Sequence, residues 1–158
     1  MTAVLATIGA LFSYEGGATQ NDALLQKNNA AITRAEASDQ WNFYQAKSSK
    51  QSLAELAAAL TEGGKRSDYE QRAERYKAEK EDIRIKAEKL EEEVKAYENR
   101  SEEAMHLHHR WAQAMTAIQV AISLAAITLL TRKRWLFFSA WGVSGIGALL
   151  AAGALLHL

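Results

Sequence analysis

Proline and cysteine are both missing from this chain of 158 residues. Without proline, the commonest interruption of a long helix is gone and helices are free to run for many turns. Without cysteine there are no disulfides, thiolate metal sites or cysteine nucleophiles. Net charge is missing as well: 19 basic side chains balance 19 acidic ones, which argues against the basic surface that nucleic-acid binding needs. No phosphate loop, hydrolase elbow or zinc motif is present. The expectation is a protein that is not an enzyme and carries no cofactor.

A local absence is more informative than these global ones. Residues 21–110 hold 18 acidic and 16 basic side chains, whereas from residue 111 onward the only fixed charges are Arg132, Lys133 and Arg134, with His157 titratable. A mixed-charge middle joined to an almost uncharged end is a chain for two solvents. Residues 111–131 would rise about 31 Å as a helix, the thickness of a bilayer's hydrocarbon core. Residues 135–158 are slightly longer, and the three basic residues between the two runs leave room only for a tight turn. Residues 111–158 therefore read as a transmembrane helical hairpin with its loop at 132–134. Trp111, Trp135, Phe137 and Phe138 sit at the ends of the runs, where aromatic belts belong. Three basic residues in a short loop favour the cytoplasmic side, which puts the charged region in the periplasm. Residues 1–18 are then expected to supply a short N-terminal span, although residues 2–14 rise only about 21 Å.

Residues 19–110 read as an extracytoplasmic hairpin of two long helices, at about 21–60 and 67–110, turning at 61–67. Gly63 and Gly64 permit the turn, and Ser67 is placed as the N-cap of the second helix. The second helix carries a repeat of 3.5 residues, the signature of packing along another helix. Its positions are Tyr69, Tyr76, Ile83, Leu90, Tyr97, Ala104, Trp111 and Ile118, alternating with Ala73, Lys80, Ala87, Val94, Ser101, His108, Met115 and Ile122. In the first helix the same spacing picks out Leu25, Ile32, Asp39, Ala46, Leu53 and Leu60, with Ala35, Asn42, Ser49 and Leu56 between them. Folding at the glycines pairs Leu60 with Tyr69, Leu53 with Tyr76, Ala46 with Ile83 and Ile32 with Tyr97. The expected fold class is all-α: transmembrane helices with a long antiparallel, coiled-coil-like hairpin outside the membrane.

Three aromatics crowd Trp41, Phe43 and Tyr44, and cannot share one helix face. Phe43 joins the expected seam, while Trp41 and Tyr44 point elsewhere and are read as contacts with another copy. Asp39 and Asn42 are read as polar seam residues that fix register. Opposite charges four apart, such as Arg75 with Glu79, suit a solvated face. Glu103 and His106, three apart, and His109 are weak metal candidates that would need partners from facing helices or other copies. In the last helix Gly142, Gly145, Ala148 and Ala152 are small residues that let backbones approach in lipid, and they are read as an oligomer interface. Gln113, Thr116, Gln119, Ser123 and Thr128 are interhelical hydrogen bonders or a pore lining.

The segment 37–50 (ASDQWNFYQAKSSK), the segment 117–122 (AIQVAI), and Leu129 with residues 131–135 (TRKRW) after it resemble a family of bacterial membrane proteins defined by a domain of unknown function. The likeness covers nearly the whole chain. It implies an N-terminal span, a long extracytoplasmic helical region and a C-terminal hairpin of spans, and it brings no activity with it. The first span of that family is longer than the one here, which leaves open whether residue 1 is the native start.

The sequence thus supports an integral protein of the bacterial inner membrane, in contact with lipid. It would act as a self-associating scaffold or as a rod that docks other membrane proteins. The alternative is an oligomeric channel or an accessory subunit of a transporter.

Overall fold

A computed structural model of the chain describes residues 2–156; His157 lies outside the described residues. The fold is all-α, with three helices among the described residues: α1 (Thr2–Leu60), α2 (Gly64–Thr131) and α3 (Arg134–Leu155). α1 is one unbroken helix rather than a short segment followed by a second start near residue 21. It passes through Gly16 and Gly17, which cost roughly 1 kcal/mol each relative to alanine. Gly16 is buried against α2, where an added Cβ would come into ordinary contact with the Trp111 Cβ at 3.5 Å.

Both connections are tight. Gly63 takes a left-handed φ of 68°, open to glycine without strain, and its carbonyl accepts from the Arg66 N–H at 3.1 Å. α2 therefore begins at Gly64, and Ser67 lies inside the first turn instead of capping it. Between α2 and α3, Arg132 has a φ of 51°, a conformation unfavourable for a residue with a Cβ. An Arg132→Gly variant is expected to relieve this and raise the melting temperature, as read by circular dichroism.

The chain divides into two compact units, one of Met1–Gln26 with Asn99–Leu158 and the other of Lys27–Glu98. In the second unit α1 and α2 run antiparallel. The α2 seam is the expected one: Ala73, Ala87 and Val94 are buried and Tyr69, Tyr76, Ile83, Leu90 and Tyr97 half-buried. The α1 seam is not. Leu53 and Leu60 are 65% and 76% exposed, and Leu25, Ile32, Asp39, Asn42, Phe43 and Ala46 also face solvent. The residues turned toward α2 are Ala30, Thr33, Ala37, Ala54 and Ala58, with Tyr44, Lys47 and Gln51 half-buried among them. The register differs accordingly, with Lys47, not Leu53, meeting Tyr76, its Nζ 5.4 Å from the ring centroid.

The physical reason is size. α2 projects tyrosines, and small side chains on α1 let the two backbones close around them, whereas leucine opposite tyrosine would hold the helices apart. Ala87, fully buried, gives the test. Ala87→Leu is expected to destabilise this unit by about 1–3 kcal/mol through overpacking. Leu53→Ala, at an exposed site of the monomer, should stay within about 0.5 kcal/mol. Chemical denaturation of both variants would reverse that order if the leucines formed the inner seam.

Candidate functional site

The unit of Met1–Gln26 with Asn99–Leu158 is held by three helices meeting along small residues. Trp111 is buried with Ala114, Ala151 and Ala154, and Phe12 packs against them, its ring centroid 5.5 Å from that of Trp111. A second cluster joins Leu5, Ile118 and Ala121, with Ile8, Ile122 and Val143 at its edge. Trp111 is thus a core residue, not an outward-facing member of an aromatic belt. Trp135 and Phe138, in contrast, are well exposed.

Polar bonds tie α2 to the α1 segment of this unit and to α3. The Ser101 hydroxyl donates to the Ala23 carbonyl at 2.8 Å. His108 Nδ1 lies 2.8 Å from the Gly16 carbonyl. A carbonyl can only accept, so the proton sits on Nδ1. Arg110 Nη1 reaches the Gly153 carbonyl at 3.4 Å. His108 is therefore occupied in packing.

The metal candidates are not assembled within the chain. Glu103 and His106 border an open groove of about 390 Å³ with Leu107 and Arg110. His109 borders a different one with Ala112, Gln113, Thr116 and Ala117. Among the described residues, no three His, Cys, Asp or Glu side chains come together as a ligand set. The Arg110 guanidinium beside Glu103 and His106 further disfavours a cation there.

The outside of this unit is apolar. Among the described residues, two helices are long and apolar enough to cross a membrane: Gly64–Thr131, with a window of mean hydropathy 1.9, and Arg134–Leu155, with one of 1.6. Only 22% of each window is buried. Leu129, Leu130, Trp141, Ile146 and Leu149 all project outward. Patches of this kind mark membrane or protein contact. Gly142, Gly145, Ala148 and Ala152 lie on this exposed side of α3, and a Cβ added at Gly142 or Gly145 would meet nothing within 4 Å. Gly147 is the glycine that packs inward, its Cβ position 3.2 Å from Ala117 and Ile118 side chains.

In the Lys27–Glu98 unit, the aromatic pair has partners within the chain. The Trp41 indole N–H donates to Glu91 at 2.8 Å, and its ring meets Tyr44 edge-on at 5.5 Å. The Lys80 ammonium lies 5.6 Å from the Tyr44 ring centroid. Neither residue points away from α2, so crowding of aromatics is no longer an argument for a second copy at Trp41 and Tyr44. Trp41 lines an open groove of about 490 Å³ with Arg34, Ser38, Asn42, Gln45 and Glu98, closed at one end by the Arg34–Glu98 ion pair. Sequence reasoning missed this groove because it depends on which α1 face meets α2.

Ion pairs lace the same unit. Lys47 donates to Glu79, which also pairs with Arg75, and Arg84 bridges Glu81 and Glu88. The hydrogen bond from Lys47 is the main cause that holds the Glu79 carboxyl below its ordinary value, helped by the charges of Lys47, Arg75 and Lys50. The bond from Arg84 does the same for Glu81. A depressed carboxylate adds stability that is complete above its ordinary value of 4.5 and is lost as pH falls through the folded value. Lys47→Met is therefore expected to lower stability at neutral pH, with the gap to the parent chain narrowing below that value. Denaturation at several pH values reads this directly.

No curated protein and no solved structure matches the chain. A family profile matches residues 1–157. The chain belongs to that family, described as Domain of unknown function (DUF4337).

Proposed function

We propose that the chain is a non-enzymatic integral membrane protein, of the bacterial inner membrane, that serves as a self-associating scaffold or a rod for docking other membrane proteins. The observation that carries the membrane part is the pairing of high hydropathy with low burial in α3 and the C-terminal part of α2. A core helix of a soluble protein has similar hydropathy but hides it, whereas these helices present it outward, as lipid contact requires. Basic residues confined to Arg132, Lys133 and Arg134 in that stretch favour a cytoplasmic loop there and a periplasmic Lys27–Glu98 unit.

The channel reading is less supported. The hydroxyls of Thr116, Ser123 and Thr128 donate to carbonyls four residues earlier in their own helix, the arrangement a hydroxyl adopts when it faces lipid or apolar neighbours. Expressed in bacteria, the protein is expected to remain in the membrane pellet through an alkaline carbonate wash and to be released by detergent. Release by carbonate would remove the integral-membrane reading.

A further inference from the structure

α1 carries two seams on opposite faces. The alanines meet α2, and the leucine-rich repeat that skips them is left outside. In the Lys27–Glu98 unit it runs through Ile32, Leu53, Leu56 and Leu60, each more than half exposed. Seven-residue spacing is the pattern of a helix that lies along another helix, and a two-helix hairpin has no third layer to cover it. We infer that this outer face of α1 pairs with the same face of a second copy, antiparallel, about an axis close to Phe43. This deepens the self-association part of the proposed function and rests on that part.

The choice of occupant follows from the symmetry of the face. A two-fold interface must be complementary to itself, so a residue and its partner exchange roles across the axis. The face is apolar toward both ends, at Ile32 and at Leu53 and Leu56, and polar between them at Asp39, Asn42 and Ser49. Glu36 and Lys50, both exposed, stand seven residues to either side of Phe43. Antiparallel pairing therefore sets Glu36 of each copy against Lys50 of the other, Ile32 beside Leu56, and Leu53 beside the small Ala35. Parallel pairing would press Asp39 against its own counterpart and set no opposite charge across the interface from Glu36 or Lys50. Charge placement at such flanking positions is what sets orientation in paired helices. Two hairpins joined this way make a four-helix layer, the standard solution for a hairpin with an apolar outer stripe.

Because the chain has no cysteine, single introduced thiols report contacts without background. In the full-length detergent-solubilised protein, Phe43→Cys is expected to cross-link to itself with a short bismaleimide. Glu36→Cys mixed with Lys50→Cys should cross-link far better than either alone. Glu36→Lys should weaken dimerisation about tenfold, and adding Lys50→Glu should restore it. Equal self-linking of Glu36→Cys and Lys50→Cys would mean parallel pairing and overturn the proposal. Native mass showing dimers with none of these links would also overturn it while leaving self-association intact. Monomer alone would overturn both.

Discussion

Trp111→Ala is expected to destabilise the unit of Met1–Gln26 with Asn99–Leu158 by about 3–5 kcal/mol, the cost of emptying a large aromatic site in a packed core. Trp111 is only 5% exposed. It is where α1, α2 and α3 meet, touching Phe12 on one side and lying among Ala114, Ala151 and Ala154 on the other. Those neighbours are small and helix-bound, so they cannot collapse into the space. Gly16 faces the Trp111 Cβ, which alanine retains, so the space lost is that of the indole ring beside Phe12. A bilayer would not refill the site, because Phe12 and the α3 alanines close it. Trp111→Phe keeps most of the volume and the ring contact, and should lose less than half as much. Thermal melting in mild detergent, followed by circular dichroism, separates the two. An alanine variant that melts like the parent would show that Trp111 faces outward after all, as an interfacial anchor.

That result bears on how much of the molecule can be read from its residues. The α2 seam was legible because its positions are large: Tyr69, Tyr76, Ile83 and Leu90 stand out from charged neighbours at a spacing that tolerates one reading. The turn at Gly63 was legible because a left-handed φ has few candidate residues. The α1 seam was misread because hydrophobicity ranks leucine above alanine. What selects the inner face, however, is the space that the opposite helix leaves, and tyrosines on α2 leave little. A usable signal was present in the heptad series Gly9, Gly16, Ala23, Ala30 and Ala37, interrupted by Tyr44 and Gln51 and resumed at Ala58. Buried heptads of small residues are visible only once the partner's bulk is considered. Assigning the leucines to the hairpin also hides the outer seam, and the search for a second copy falls on Trp41 and Tyr44 instead. Trp41 turns toward α2 for the same reason, because its reach to Glu91 follows from the α1 face that is buried. The histidines fared differently. Spacing places Glu103, His106 and Arg110 on one side of the helix, at i, i+3 and i+7, while the structure shows His109 bordering a different groove.

Gly147→Leu is expected to cost about 3 kcal/mol or more, at the upper end of overpacking, and to loosen α3 from α2. A Cβ at this position would lie 3.2 Å from both the Ala117 Cβ and the Ile118 Cδ1 and 3.3 Å from the Ala114 carbonyl oxygen. The oxygen belongs to a helix backbone and cannot move aside, so even alanine is tight there and leucine has no rotamer that avoids all three. Gly145→Leu is the informative contrast, two residues away on the exposed side. With nothing within 4 Å of its Cβ position, it should leave the folding of the isolated chain within about 0.5 kcal/mol. Any loss it causes must then come from another molecule, because no part of the same chain is close enough to clash. Native mass of the two variants therefore divides the small residues of α3 into those that build the chain and those that join it to others. If Gly145→Leu destabilises the monomer as much as Gly147→Leu, the packing face of α3 is the opposite one. If it leaves both fold and assembly untouched, lipid covers that face, and self-association has to run through α1.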